Sequence, residues 1–205
     1  FYSGDSGSIY TTDVSGTDNS ATGNSAFGVE ALDAITTGDN NTAVGTSALG
    51  ANTTGEKNTA VGRQALRTNT TGSSNTAVGQ GALDVSTTSD QNTAVGRDAL
   101  GANTTGEQNT AIGSGALIAN TTGDDNIAIG YAALDANTTA SDNIAIGVSS
   151  LTANTTGTRN TAIGHSAYQA SDTENDNMAI GFHAMTANTA GGIQNVAVGN
   201  YALDA

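Results

Sequence analysis

Side chains able to do chemistry are few in this sequence, and their spacing decides what chemistry that would be. The only imidazoles are His165 and His183, and there is no cysteine. Imidazole and thiolate are the ligands a transition-metal site most often uses. The two histidines occupy different positions of successive repeats, outside a common column, so exposed variable positions are expected rather than a metal pair. Carboxylates are more plentiful, and Asp39, Glu56, Asp90, Glu107, Asp124, Asp125, Asp142 and Asp176 recur near one point of the repeat. Such recurrence suggests stacked calcium sites. However, the same positions also hold Ser73, Ser74, Thr158 and Arg159, and the glycine-rich nonapeptide of calcium-loaded β-helices is missing. A solvated acidic edge without a cofactor is expected, with structural calcium as the lesser alternative. The pairs Thr53/Thr54, Thr70/Thr71, Thr104/Thr105 and Thr121/Thr122 could form a hydroxyl array that matches ice; the plainer reading is a ladder residue beside a turn. No nucleophile–base pair and no phosphate-binding loop occurs, so no catalytic residue is expected.

The elements that position these residues follow from a repeat. An N-x-A-[V/I/F]-G motif begins at Asn24, Asn41, Asn58, Asn75, Asn92, Asn109, Asn126, Asn143, Asn160 and Asn177, always 17 residues apart. An eleventh copy begins at Asn195, one residue late because of an extra residue in the 190–194 segment. The consensus reads N-T-A-V-G-x-x-A-L-x-A-N-T-T-G-x-x. A fixed period of this length marks a repeat architecture. The Asn-to-Gly segment is short, carries β-branched residues and is closed by glycine, which predicts a strand. Asn-Thr-Thr-Gly predicts a second corner. The Ala-Leu segment between the corners fits a strand or one helical turn.

The fold class read from this is all-β, a parallel β-solenoid (β-roll) of eleven rungs over residues 24–205, with residues 1–23 as a cap or junction. Two apolar columns are expected in its core. One is the fourth position, Val44, Val61, Val78, Val95, Ile112, Ile129, Ile146, Ile163 and Ile180. The other is the ninth, Leu49, Leu66, Leu83, Leu100, Leu117, Leu134 and Leu151. The third position is alanine in every copy, so something packs closely on that face: the rung folded back on itself, or another chain.

Bulk composition fits a fold that needs little core per rung. Leu, Ile, Val and Phe make up 33 of 205 residues and the net charge is −14, values that in an aperiodic chain would point to disorder. Five basic residues against nineteen acidic ones argue against nucleic acid as a partner. No apolar run approaches the roughly 18 residues of a membrane span. Seven N-x-T sequons, at Asn40, Asn52, Asn69, Asn103, Asn120, Asn137 and Asn154, arise from the repeat itself.

The motifs Asn126–Gly130, Asn143–Gly147, Asn177–Gly181 and Asn195–Gly199 resemble the head repeat of YadA-like trimeric autotransporter adhesins. The fuller N-T-A-V-G…A-L…N-T-T-G string resembles repeats of phage tail fibres. The adhesin resemblance implies a left-handed parallel β-roll with three chains around one axis. The 17-residue rung is longer than the usual adhesin rung, and no coiled-coil heptads or anchor accompany it. The expected function is a structural part of an extracellular, cell-surface or virion fibre. Its partners would be further copies of itself and a cell-surface glycan or receptor. The variable sixth and seventh positions single out Tyr131, Phe182 and Tyr201 as surface-binding candidates. The alternative is a soluble ice- or ligand-binding solenoid, which a monomeric chain would favour. Axial continuation through unpaired terminal strands is also expected.

Overall fold

Each copy of the N-x-A-[V/I/F]-G motif supplies one three-residue strand, because its second to fourth positions favour an extended backbone and its glycine ends it. In the computed structural model, residues 9–10, 20–170, 173–186 and 192–204 are described. The strands are β1 (Ile9–Tyr10), β2 (Ser25–Phe27), β3 (Thr42–Val44), β4 (Thr59–Val61), β5 (Thr76–Val78) and β6 (Thr93–Val95). They continue with β7 (Thr110–Ile112), β8 (Ile127–Ile129), β9 (Ile144–Ile146), β10 (Thr161–Ile163), β11 (Met178–Ile180) and β12 (Val196–Val198). All twelve lie in one sheet in chain order. Pairing is parallel and in register, so Ala43 sits beside Ala60 and Ala60 beside Ala77. Such an order arises when every rung makes one circuit and returns above its own start. The chain is a parallel β-solenoid with a 17-residue period. Most of residues 1–23 lies outside the described residues; within that stretch, β1 pairs in parallel with β2.

The core differs from the expected one at the strand. The third-position alanines, Ala43 to Ala179, are wholly buried, whereas Val44 is 39% exposed and Ile112 is 39% exposed. Val61 is likewise exposed, and Val78, Val95, Ile129, Ile146, Ile163 and Ile180 are only partly buried. The expectation that the fourth position forms a core column is therefore corrected: the two strand faces are exchanged. The physical reason is width. Each rung folds back on itself, and its far wall stands so close that the strand's inner face has room for a methyl group only. The interior is filled instead by the third- and eighth-position alanines and by Leu49, Leu66, Leu83, Leu100, Leu117, Leu134 and Leu151, all wholly buried.

That leucine column sits on neither a strand nor a helical turn. Its residues are left-handed, from Leu49 at φ 49° to Leu134 at φ 53°, with Tyr168 and Met185 alike at 52° and 55°. A bulky side chain with positive φ is uncommon and costs about 1–2 kcal/mol. Full burial of a leucine contributes about 1.5–3 kcal/mol, and the backbone N–H is bonded upward, as from Leu49 to the Ala65 carbonyl at 3.0 Å. The column holds Leu, Tyr and Met but never Val or Ile. That choice follows from the backbone, since β-branching is worst tolerated there. The corner glycines answer a different need. Gly45 has φ +133°, and a Cβ on it would lie 2.6 Å from the Gly62 carbonyl.

Two asparagine columns complete the core and were not anticipated as buried. In the first, each Asn backbone N–H donates to the side-chain oxygen of the Asn one rung earlier, as from Asn58 to Asn41 at 3.0 Å. Its Nδ2 donates to a carbonyl near the end of its own copy of the repeat, from Asn58 to Gly72 at 2.8 Å. In the second, Asn69 Nδ2 donates to Asn52 Oδ1 and to the Gly72 carbonyl, both at 2.9 Å. Burial without such partners would cost several kcal/mol per side chain.

Candidate functional site

With the fourth position turned outward, each strand presents its second and fourth residues on one outer face. Reading from β2 to β12, this face carries Thr or Ser beside Phe, Val or Ile, then Ile127 with Ile129, Ile144 with Ile146, Thr161 with Ile163, Met178 with Ile180 and Val196 with Val198. No residue of either column is charged, in a chain with nineteen acidic and five basic side chains. Rungs about 4.8 Å apart make the face about 50 Å long. Thr or Ser shares it with the apolar side chains on seven of the eleven rungs, so the face is uncharged rather than wholly apolar.

The carboxylates at the last corner have a different task. Thr22 donates its backbone N–H to Asp39 Oδ1 at 2.6 Å, Ser73 to Asp90 Oδ1 at 2.7 Å, and Glu107 to Asp124 Oδ1 at 2.8 Å. Ser73 and Ser141 hydroxyls and the Asn175 amide fill the same role for Glu56, Asp124 and Thr158. The position thus calls for a short acceptor that tethers the rung before it, and Asp is one of several that suffice. At the next position Asp125, Asp142 and Asp176 are left-handed, a conformation Asp tolerates. Arg159 donates to Asp176 through a fork of 2.6 and 3.0 Å, which lowers the Asp176 carboxyl pKa and raises that of the guanidinium. Among the described residues, no three His, Cys, Asp or Glu side chains stand together as a metal site would require.

The threonine pairs are split in role. Thr53 Oγ1 donates to the Thr70 carbonyl at 3.0 Å, and the same bond recurs from Thr70 to Thr87 and from Thr104 to Thr121. Only the second threonine of each pair faces solvent fully. Six of the seven sequon asparagines, Asn52, Asn69, Asn103, Asn120, Asn137 and Asn154, are wholly buried. Asn40 is the exposed one.

The variable sixth and seventh positions line the turn beyond the strand. His165 and His183, though in different columns, stack with ring centroids 5.6 Å apart. Phe182 lies 5.4 Å from His165, and Tyr201 stacks on His183 at 5.8 Å. Phe182 meets Tyr201 edge to face, with centroids 5.5 Å apart, so the four rings form one cluster. Two of the three surface candidates, Phe182 and Tyr201, belong to it. The third, Tyr131, is 62% exposed and has Ser114 and Val148 as its column neighbours. Asp135, in the same turn, has its carboxyl pKa raised by burial, against the pull of backbone hydrogen bonds from Ala136 and its own N–H. No protein family, curated protein or solved structure matches this chain.

Proposed function

We propose that this chain is a length of self-associating fibre, exposed at a cell surface, on a virion or in the extracellular space, and built by packing the outer strand face against further copies of itself. One observation carries the reading: across all eleven rungs of the repeat, β2 to β12, that face excludes charge. A surface that only met water would have no reason to refuse Lys, Asp or Glu at every turn, and the rest of this molecule does not refuse them. A second copy is the occupant that fits. A net charge of −14 repels like chains at long range, so an uncharged strip is where two copies can meet. The strip repeats at the rung spacing, as an identical strip does.

The three-chain arrangement implied by the adhesin resemblance is one way to bury it; the fourth column would meet one neighbour and the second column the other. No catalytic role is proposed. The variable turn, which lies outside this face, would carry any contact to a host glycan or receptor.

The test is the mass of the chain in solution by light scattering over a range of concentrations. A multimer that persists on dilution is expected. A monomer at every concentration would remove the fibre reading and leave the soluble ice- or ligand-binding solenoid.

A further inference from the structure

Rung by rung, the sixth and seventh positions carry side chains of changing size, and the smallest pair is Ser114 with Gly115. Large residues flank it, Arg97 and Asp98 on the rung before and Tyr131 on the rung after. The result is an open notch of about 190 Å³ bordered by Arg97, Asp98, Ser114, Ile118, Tyr131 and Asp135. At about 30 Å³ per water, that is the space of roughly six waters, smaller than the pockets that hold drug-sized ligands. Arg97 and Tyr131 are two rungs apart, about 9.6 Å along the axis, which leaves a slot one ring thick.

The backbone does not demand the glycine. Gly115 has φ +70°, but its column holds Gln64 at 62°, Asp98 at 57° and Ala132 at 51°. A Cβ at Gly115 would meet nothing within 4 Å. What the glycine does is leave the notch open.

We infer that this notch binds a single ring of a neutral glycan. Its walls suit an amphipathic ring with an apolar face and a polar rim. Tyr131 offers a ring free of the aromatic cluster at His165, Phe182, His183 and Tyr201. Donors and acceptors surround it: the Arg97 guanidinium, the Ser114 hydroxyl and the Asp98 and Asp135 carboxylates. Arg97 and Asp98 are held only loosely, at 3.7 Å, so both can turn to sugar hydroxyls. An ammonium ligand would meet Arg97, and a nucleotide would bring phosphate to an acidic chain. The larger groove near Glu30 and Arg67 is less suited, since Ser47 already donates to Glu30 and Arg67 to Asp84.

The inference deepens the fibre reading and rests on it for its biological setting, but its test is separate. The whole chain is labelled and applied to an array of neutral oligosaccharides, and the best ligand is titrated against wild type, Tyr131→Ala and Gly115→Gln. Gln64 shows that the column accepts glutamine, so the second variant fills the notch and leaves the rung intact. Wild type should bind a neutral glycan, and each variant should lose at least tenfold in affinity. No glycan bound by wild type, or binding that survives in either variant, overturns the site. Solution mass, followed in parallel, reports on the fibre reading alone.

Discussion

At the scale of single residues, the most informative position is the left-handed leucine. Its column admits Leu, Met and Tyr and never a β-branched residue, although the strand beside it is rich in Val and Ile. Volume alone does not explain this, because Ile and Leu are equal in size. Leu100→Ile, at φ 50°, should therefore cost about 1–3 kcal/mol through backbone strain. Leu100→Met should cost less than about 1.5 kcal/mol. Urea titration of both variants checks this; equal losses would mean that packing, not backbone conformation, selects leucine. A second prediction concerns Asp135, whose carboxyl pKa burial raises. The folded chain then binds its proton more tightly than the unfolded chain does. This group's contribution is fully present below the unfolded value of about 3.9 and is lost as pH rises through the folded value. Asp135→Asn should raise the melting temperature slightly at pH 7, and the gain should vanish below the unfolded value. A gain that is the same at both pH values would refute burial as the cause.

At the scale of the rung, the ladders bind one circuit to the next. The second asparagine column breaks at Ser86, which turns to Ser89 within its own rung. Asn69 Oδ1 is left buried without a partner, at a cost of about 1–3 kcal/mol. Restoring the consensus with Ser86→Asn and Ser89→Gly together gives Asn69 its donor. Glycine is included because a Cβ at the equivalent Gly55 would crowd Asn52 Oδ1 at 2.5 Å. The double variant should be more stable by about 1 kcal/mol in chemical denaturation, and no gain would show that the ladder is not cooperative.

How much of this rung could be read in advance divides along the same physical lines. The period, the parallel stacking and the buried leucines follow from spacing and side-chain type. The strand faces do not, because the usual weighting of large apolar side chains as core fails where the strand's inner face has room for a methyl group only. The invariant alanine was the signal: it refuses bulk because the opposite wall is close. The left-handed turn was hidden because its residues, Leu above all, are not those that mark positive φ. The buried asparagines looked like corner residues, which they also are. The notch at Gly115 became visible only once its neighbours in the column proved to take the same backbone conformation with a side chain.

At the scale of the whole molecule, two surfaces run side by side along the solenoid axis. The outer strand face is uncharged throughout, and the turn beyond it is variable and carries Arg97, Tyr131, His165 and Phe182. On the proposed reading, the uncharged strip would meet copies of the chain and the variable strip would meet another ligand. The most direct measurement is the solution mass and circular dichroism of wild type beside Ile129→Asp with Ile146→Asp. Both residues are only partly buried on the outer face, so the lone chain can keep its fold with a carboxylate at each. Buried between two chains, an unpaired carboxylate would cost several kcal/mol. The wild type should be multimeric and the variant folded and monomeric, with an unchanged β spectrum. A wild type that is already monomeric, or a variant that stays multimeric, would contradict that.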